Sequence, residues 1–172
     1  MTLRITKQLN QGFTLIELLL YVSIVSVVLL AISLFISSLL ESRVKNQTIA
    51  EVDGQGLHVM QIITQSLRNA VAINSPALGV SAASLSINTV VAGNNPTIFD
   101  VSVDALRMSE GGGAPVLLTN ARVIASALNF TNLSRPGTRG TVRITFTLTH
   151  SNPAGRQEYS YSKSFISSAT LR

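Results

Sequence analysis

From Leu18 to Leu40 the chain runs for 23 residues without a formal charge, interrupted only by Tyr21 and scattered serines. A helix of that length spans about 35 Å, enough to cross a bilayer hydrocarbon core of about 30 Å. No soluble fold of this size easily hides so long an uncharged run. The apolar content of 46% is therefore mostly local, because the rest of the 172 residues is rich in Ser, Thr and Asn. Length alone allows one domain and one appended element. The residues beyond Ser42 are numerous enough to bury a core without covalent staples.

Charge and cysteine usage narrow the classes further. The net charge is +5, from 13 Lys and Arg against 8 Asp and Glu, and Arg4 and Lys7 precede the apolar run. Beyond Leu40 the basic residues are almost all Arg and widely spaced, as on a mixed, solvated surface. The chain has no cysteine, which excludes disulfides, thiolate metal sites and a cysteine nucleophile.

A secretory signal peptide would pair the basic prelude with a shorter apolar stretch and a small-residue cleavage site. Here the apolar stretch is longer, has no A-x-A exit, and continues through Glu41, Arg43 and Lys45 into a helical pattern. Charges flank the span on both sides, so the positive-inside rule does not orient it. Glu17 is the exception inside this region. An ionisable group in a membrane segment costs about 2.5–3.5 kcal/mol near the centre and less near an interface. A helix N-terminal glutamate favoured by the macrodipole is one reading of it.

The segment "GFTLIELLL", residues 12–20, resembles the N-terminal signature of type IV prepilins and type II secretion pseudopilins. It has a short basic leader ending in Gly12, then Phe13, Thr14, Leu15, Ile16 and Glu17, then the apolar helix. The resemblance implies cleavage between Gly12 and Phe13 by a membrane prepilin peptidase on the cytoplasmic face. The same enzyme would methylate the new amine of Phe13. It further implies that Glu17 meets the N-terminal amine of a neighbouring subunit and sets the register of assembly. An unpaired charge buried in a helical bundle is costly, and a paired one much less so. The implied partners are that peptidase, other pilin or pseudopilin subunits, an inner-membrane assembly platform, and membrane lipid before assembly. The implied location is a single pass with the leader in the cytoplasm and the C-terminal domain outside the cytoplasmic membrane, then a pilus or pseudopilus. Where many major pilins carry a helix-kinking proline, this chain has Leu34, and no proline precedes Pro76. That departure and the missing cysteines point to a minor subunit with a more continuous helix.

Beyond the apolar run, Ile49, Val52, Gly56, Val59, Ile63, Leu67 and Ala70 recur every three or four residues and form one apolar stripe. Polar residues fill the intervals. Gly54 and Gly56 each cost about 1 kcal/mol relative to Ala in a helix, so "VDGQG" reads as a bend or a loosened turn. Pro76 disfavours helix at Ser75 and sets the expected end. The period then changes to short β-type runs: "SLSINTVV", "TIFDVSV", "ALRM", "PVLLT", "LNFTNL", "TVRITFTLT" and "EYSYSKSFI". Val142, Ile144, Phe146 and Leu148 alternate with polar residues. Tyr159, Tyr161 and Phe165 should face them across a hairpin with its loop at residues 152–156. "NARVIASALNF" reads as an irregular strand, with helix as the alternative. The expected organisation is a leader over 1–12, a transmembrane and assembly helix over 13–42, its amphipathic continuation over 43–75, and a β-rich domain over 76–172. The fold class is α+β, a long N-terminal helix packed on a small antiparallel sheet of four to seven strands.

Little in the sequence suggests catalysis. His58 and His150 have no second histidine at ligand spacing, and Asp100, Asp104 and Glu110 match no known oxygen-ligand loop. There is no G-x-S-x-G, and the triple glycine at 111–113 lacks the rest of a phosphate loop. The expectation is a structural protein, not an enzyme, with no metal and no cofactor. One anion patch stands out, "SRPGTRGTVR" with Arg135, Arg139 and Arg143, although no aromatic residue interleaves it for base stacking. It supports an alternative reading, a DNA-uptake or adhesive pilus-tip subunit that binds nucleic acid or another anion there. A solvated loop is the plainer account of the same residues.

Overall fold

The computed structural model describes residues 13–172. Helix α1 runs unbroken from Leu15 to Arg68, past Leu34 and through both Gly54 and Gly56. The chain divides into two compact units, Met1–Ser42 and Arg43–Arg172.

In the first unit the large apolar side chains of the helix are all exposed, Leu30 and Phe35 by almost two thirds. The stretch has the length and composition of a membrane anchor. Three of its serines bond back to the helix's own carbonyls. Ser23 donates to the Leu20 carbonyl and Ser26 to the Val22 carbonyl, each at 2.8 Å, and Ser37 donates to the Ser33 carbonyl at 3.1 Å. Such back-bonding lets polar residues sit in a medium that offers no hydrogen-bond partner.

In the second unit α1 buries Thr48, Val52, Gly56, Val59, Ile63 and Leu67, the stripe expected from spacing, except that Thr48 takes the place of half-buried Ile49. The strands are β1 (Ala70–Ser75), β2 (Ser81–Ala82), β3 (Leu85–Thr89), β4 (Thr97–Ser102), β5 (Ala105–Glu110), β6 (Val116–Leu117), β7 (Val123–Asn132), β8 (Thr141–His150) and β9 (Ser162–Thr170). They form two antiparallel sheets where the sequence suggested one, ordered β1-β3-β4-β5-β6 and β2-β7-β8-β9. The division follows the apolar residues. Leu85, Ile87, Phe99 and Leu106 come from the first sheet and Phe130, Val142, Ile144, Phe146 and Leu148 from the second, and both sets join the helix stripe in one cluster.

Two local expectations need correction. The helix does not reach residue 75: it stops at Arg68, and residues 70–75 form β1, paired to β3. Val71 and Ile73 are β-branched and suit a pleated strand, and Pro76 already excludes helix from Ser75. The strand facing β8 begins at Ser162, not at Tyr159, because residues 157–159 form a single 3₁₀ turn. Tyr159 stacks on His150 instead, with ring centroids 5.6 Å apart. The loop itself closes where expected: Asn152 Nδ2 donates to the Arg156 carbonyl at 2.7 Å and the Arg156 N–H returns to Asn152 Oδ1 at 3.0 Å. The irregular strand over 123–132 is β7, bulged between Ser126 and Asn129, with Ala127 at φ +51°.

The helix is tied to the second sheet by two contacts of different kinds. Phe165, opposite Phe146 in the β8–β9 register, stacks on its ring at 5.3 Å and lies directly over Gly56. A Cβ at position 56 would fall inside the Phe165 ring, whereas one at Gly54 would meet open space. Asp53 on the helix accepts from Lys163 Nζ at 2.9 Å and from the Tyr161 hydroxyl at 3.4 Å. The hydrogen bond to Asp53, aided by its charge, holds the Lys163 ammonium above its ordinary value of 10.5.

The two glycines should therefore respond in opposite directions to the same substitution. Gly54→Ala should stabilise the fold by about 0.5–1 kcal/mol through helix propensity. Gly56→Ala gains the same propensity but must displace Phe165, and overpacking of about 1–3 kcal/mol makes the net change destabilising. Thermal unfolding of the full chain in detergent, followed by tyrosine near-ultraviolet circular dichroism, reads both. Because the folded pKa of Lys163 is raised, its contribution is fully present below 10.5 and fades as pH rises through the folded value. The stability difference between wild type and Lys163→Met should accordingly shrink in alkaline buffer.

Candidate functional site

The N-terminal segment is organised by a cap. Thr14 precedes the first helical residue, and its Oγ1 accepts from the Glu17 N–H at 3.3 Å while its carbonyl accepts from Glu17 and Leu18, each at 3.1 Å. This satisfies donors that a helix start otherwise leaves open. Thr-x-x-Glu at positions 14 to 17 is the pattern of a capping box, a signal overlooked in the sequence reading. The reciprocal half is absent. The Glu17 carboxylate turns along the helix, where Oε1 accepts from the Tyr21 hydroxyl at 3.3 Å. Phe13 meets the Tyr21 ring edge-on, with centroids 5.9 Å apart.

Phe13, Glu17 and Tyr21 are four residues apart and share one face. Tyr21 was noticed in the sequence only as an interruption, although its spacing from Glu17 could have paired them. The face is exposed, and the second carboxylate oxygen of Glu17 has no partner among the described residues. The arrangement can present one anionic oxygen to a cation brought from outside, beside an aromatic pair that keeps the carboxylate oriented. Placement in the first turn also suits the macrodipole. Gly12 lies outside the described residues.

The three arginines of the basic loop do not act together. Arg135 sits at a turn closed by Thr138, whose Oγ1 accepts from the Arg135 N–H at 3.3 Å and donates to its carbonyl at 2.8 Å. Arg143 projects from β8 opposite Thr131 of β7 and Ser168 of β9. Arg139 lines a groove in company with Arg68 and Arg172, and neither Arg135 nor Arg143 is part of that lining. Sequence reading missed that grouping because Arg68 and Arg139 are joined only by the fold.

The other candidates are scattered. His58 is exposed on α1, and His150 is half-buried against Tyr159. Asp100 is held in a forked pair by Arg107, Nε to Oδ1 at 2.5 Å and Nη2 to Oδ2 at 2.8 Å. Hydrogen bonding to Asp100 raises the pKa of that guanidinium further. Among the described residues no three His, Asp or Glu side chains cluster closely enough to hold a metal.

A family model described as the prokaryotic N-terminal methylation motif matches residues 7–33, the stretch that includes the cap and the Phe13–Glu17–Tyr21 face. No curated protein matches the chain significantly, and no solved structure does. This motif leads into a long apolar helix, and beyond it the helix packs on antiparallel sheets, an N-terminal motif and an architecture similar to those of type IV pilins and pseudopilins.

Proposed function

We propose that this chain is a minor pilin or pseudopilin, a structural subunit and not a catalyst. The leader, residues 1–12, is removed between Gly12 and Phe13 by prepilin peptidase, and the Phe13 amine is methylated by the same enzyme. Residues 13–42 hold the subunit in the cytoplasmic membrane, with the leader inside and the unit from Arg43 onward outside. An assembly platform then moves it into a type IV pilus or type II secretion pseudopilus. Leu34 in place of a kinking proline and the absence of cysteine support a minor subunit.

The observation that carries this reading is the Phe13–Glu17–Tyr21 face at the start of a capped helix. Its free carboxylate oxygen lies about one helical turn from the residue whose nitrogen becomes the amine after cleavage. While the helix is in lipid, that end lies near the headgroups, and the charge is tolerable. In a bundle of many such helices it is buried, and removing one partner of a buried ion pair costs about 3–5 kcal/mol. Pairing of Glu17 with the amine of a neighbouring subunit meets that cost and selects one axial register.

Intact-mass and N-terminal analysis of protein recovered from membranes that contain the peptidase should show a chain beginning at N-methylated Phe13. A chain still beginning at Met1, or cut near Ser42, would overturn the reading. Glu17→Ala should be processed normally yet fail to enter the filament fraction, as read by sedimentation of sheared filaments. Equal incorporation of wild type and variant would remove Glu17 from assembly.

A further inference from the structure

Where α1 ends, the second unit opens a groove of about 800 Å³ whose lining includes three arginines, Arg68, Arg139 and Arg172. One wall is an edge of the helix, where Gln61, Gln65 and Arg68 recur at the spacing that places residues on one face, with Asn69 just past its end. No aspartate, glutamate or aromatic side chain lines the groove. None of its three arginines forms an ion pair among the described residues, whereas Arg107, Arg122, Arg156 and Lys163 each have a carboxylate partner. The three guanidiniums outweigh roughly half a negative charge from the helix end together with the α-carboxylate of Arg172, the last residue of the sequence, so the lining is net positive.

We propose that this groove binds an acidic polysaccharide through its carboxylates. Guanidinium presents paired N–H donors that match a carboxylate, and such charge-assisted bonds are stronger than neutral ones. The amides of Gln61, Gln65 and Asn69 can each donate and accept, which suits the hydroxyls that flank every carboxylate on a uronate chain. Nucleic acid fits less well. There is no ring on which a base could stack, and three cations address only a short piece of a duplex that carries a charge about every 1.7 Å. The grouping differs from the basic stretch of the loop sequence, because Arg135 and Arg143 do not line the groove and Arg68 comes from the helix.

The test uses the purified full chain in uncharged detergent micelles, with oligogalacturonate as the probe and dextran and a duplex DNA oligonucleotide as comparators. Leader cleavage and filament formation play no part in the measurement, so its failure and that of the proposed function are separate events. Saturable binding of oligogalacturonate is expected, with none to dextran. Arg68→Gln and Arg139→Gln should each weaken it about tenfold, the size expected for one charge-assisted contact. Arg143→Gln should leave it unchanged, and melting curves of all variants should confirm that they remain folded. Absence of binding, an equal loss in Arg143→Gln, or tighter binding of the DNA would overturn the proposal.

Discussion

The contact between the Phe165 ring and the bare backbone of Gly56 governs how closely β9 can approach α1. At that point the helix has no side chain, and the ring fills the space a Cβ would occupy while stacking on Phe146 of the neighbouring strand. The stripe of Val52, Val59, Ile63 and Leu67 on either side of Gly56 is then sealed by both sheets. Because interiors are close-packed, a helix with ordinary side chains along the whole stripe would have to move away from β9 and open a void. The glycine costs helix propensity, and the ring that it admits returns packing in exchange. Asp53, one turn earlier, adds a polar tie to the same strand region through Tyr161 and Lys163.

The first unit follows different physics. Its helix is apolar on every side and buries nothing within the chain, so its stability rests on internal satisfaction of backbone and hydroxyl groups and on the surroundings. Thr14 caps it, Ser23, Ser26 and Ser37 bond back to carbonyls, and Glu17 stands at the entry turn with Tyr21 beside it. A segment built in this way has little to gain from its own chain and much to gain from lipid or from similar helices. Glu17 is costly in lipid only to the extent that it is buried, and its geometry leaves one oxygen free for a partner. Its place in the first turn also suits the helix macrodipole.

Much of the fold was legible because periodicity reports which face is buried. Val142, Ile144, Phe146 and Leu148 read as one face and are all buried, and the helix stripe from Val52 to Leu67 holds at nearly every position. The bulged strand β7 was legible as irregular because Ala and Ser dilute its alternation. Less legible was the end of the helix, since the apolar residues at 70–73 satisfy a helical count and a strand count alike. Pairing with β3 decides between them. The division into two sheets was hidden for the same reason: hydrogen-bonded neighbours such as β2 and β7 lie far apart in the chain, and no local pattern announces them. In the candidate site, Glu17 stood out because a charge beside an apolar run is rare. Tyr21 and Thr14 passed as ordinary helix residues.

Local chemistry by itself determined the membrane-length helix, the N-terminal methylation motif within residues 7–33, the amphipathic continuation, and the β-rich character of the remainder. Each of these depends on residues within one or two turns or one strand, where spacing and solvation decide the outcome. Tertiary structure alone decided that Gly56 serves the Phe165 ring and does not loosen the helix, that the nine strands of the described residues form two sheets, and that Arg139 lines one groove with Arg68 while Arg135 and Arg143 do not line it. Those outcomes depend on which distant segments share space, and that is set by closing one common core over a whole unit rather than by any stretch of sequence read alone.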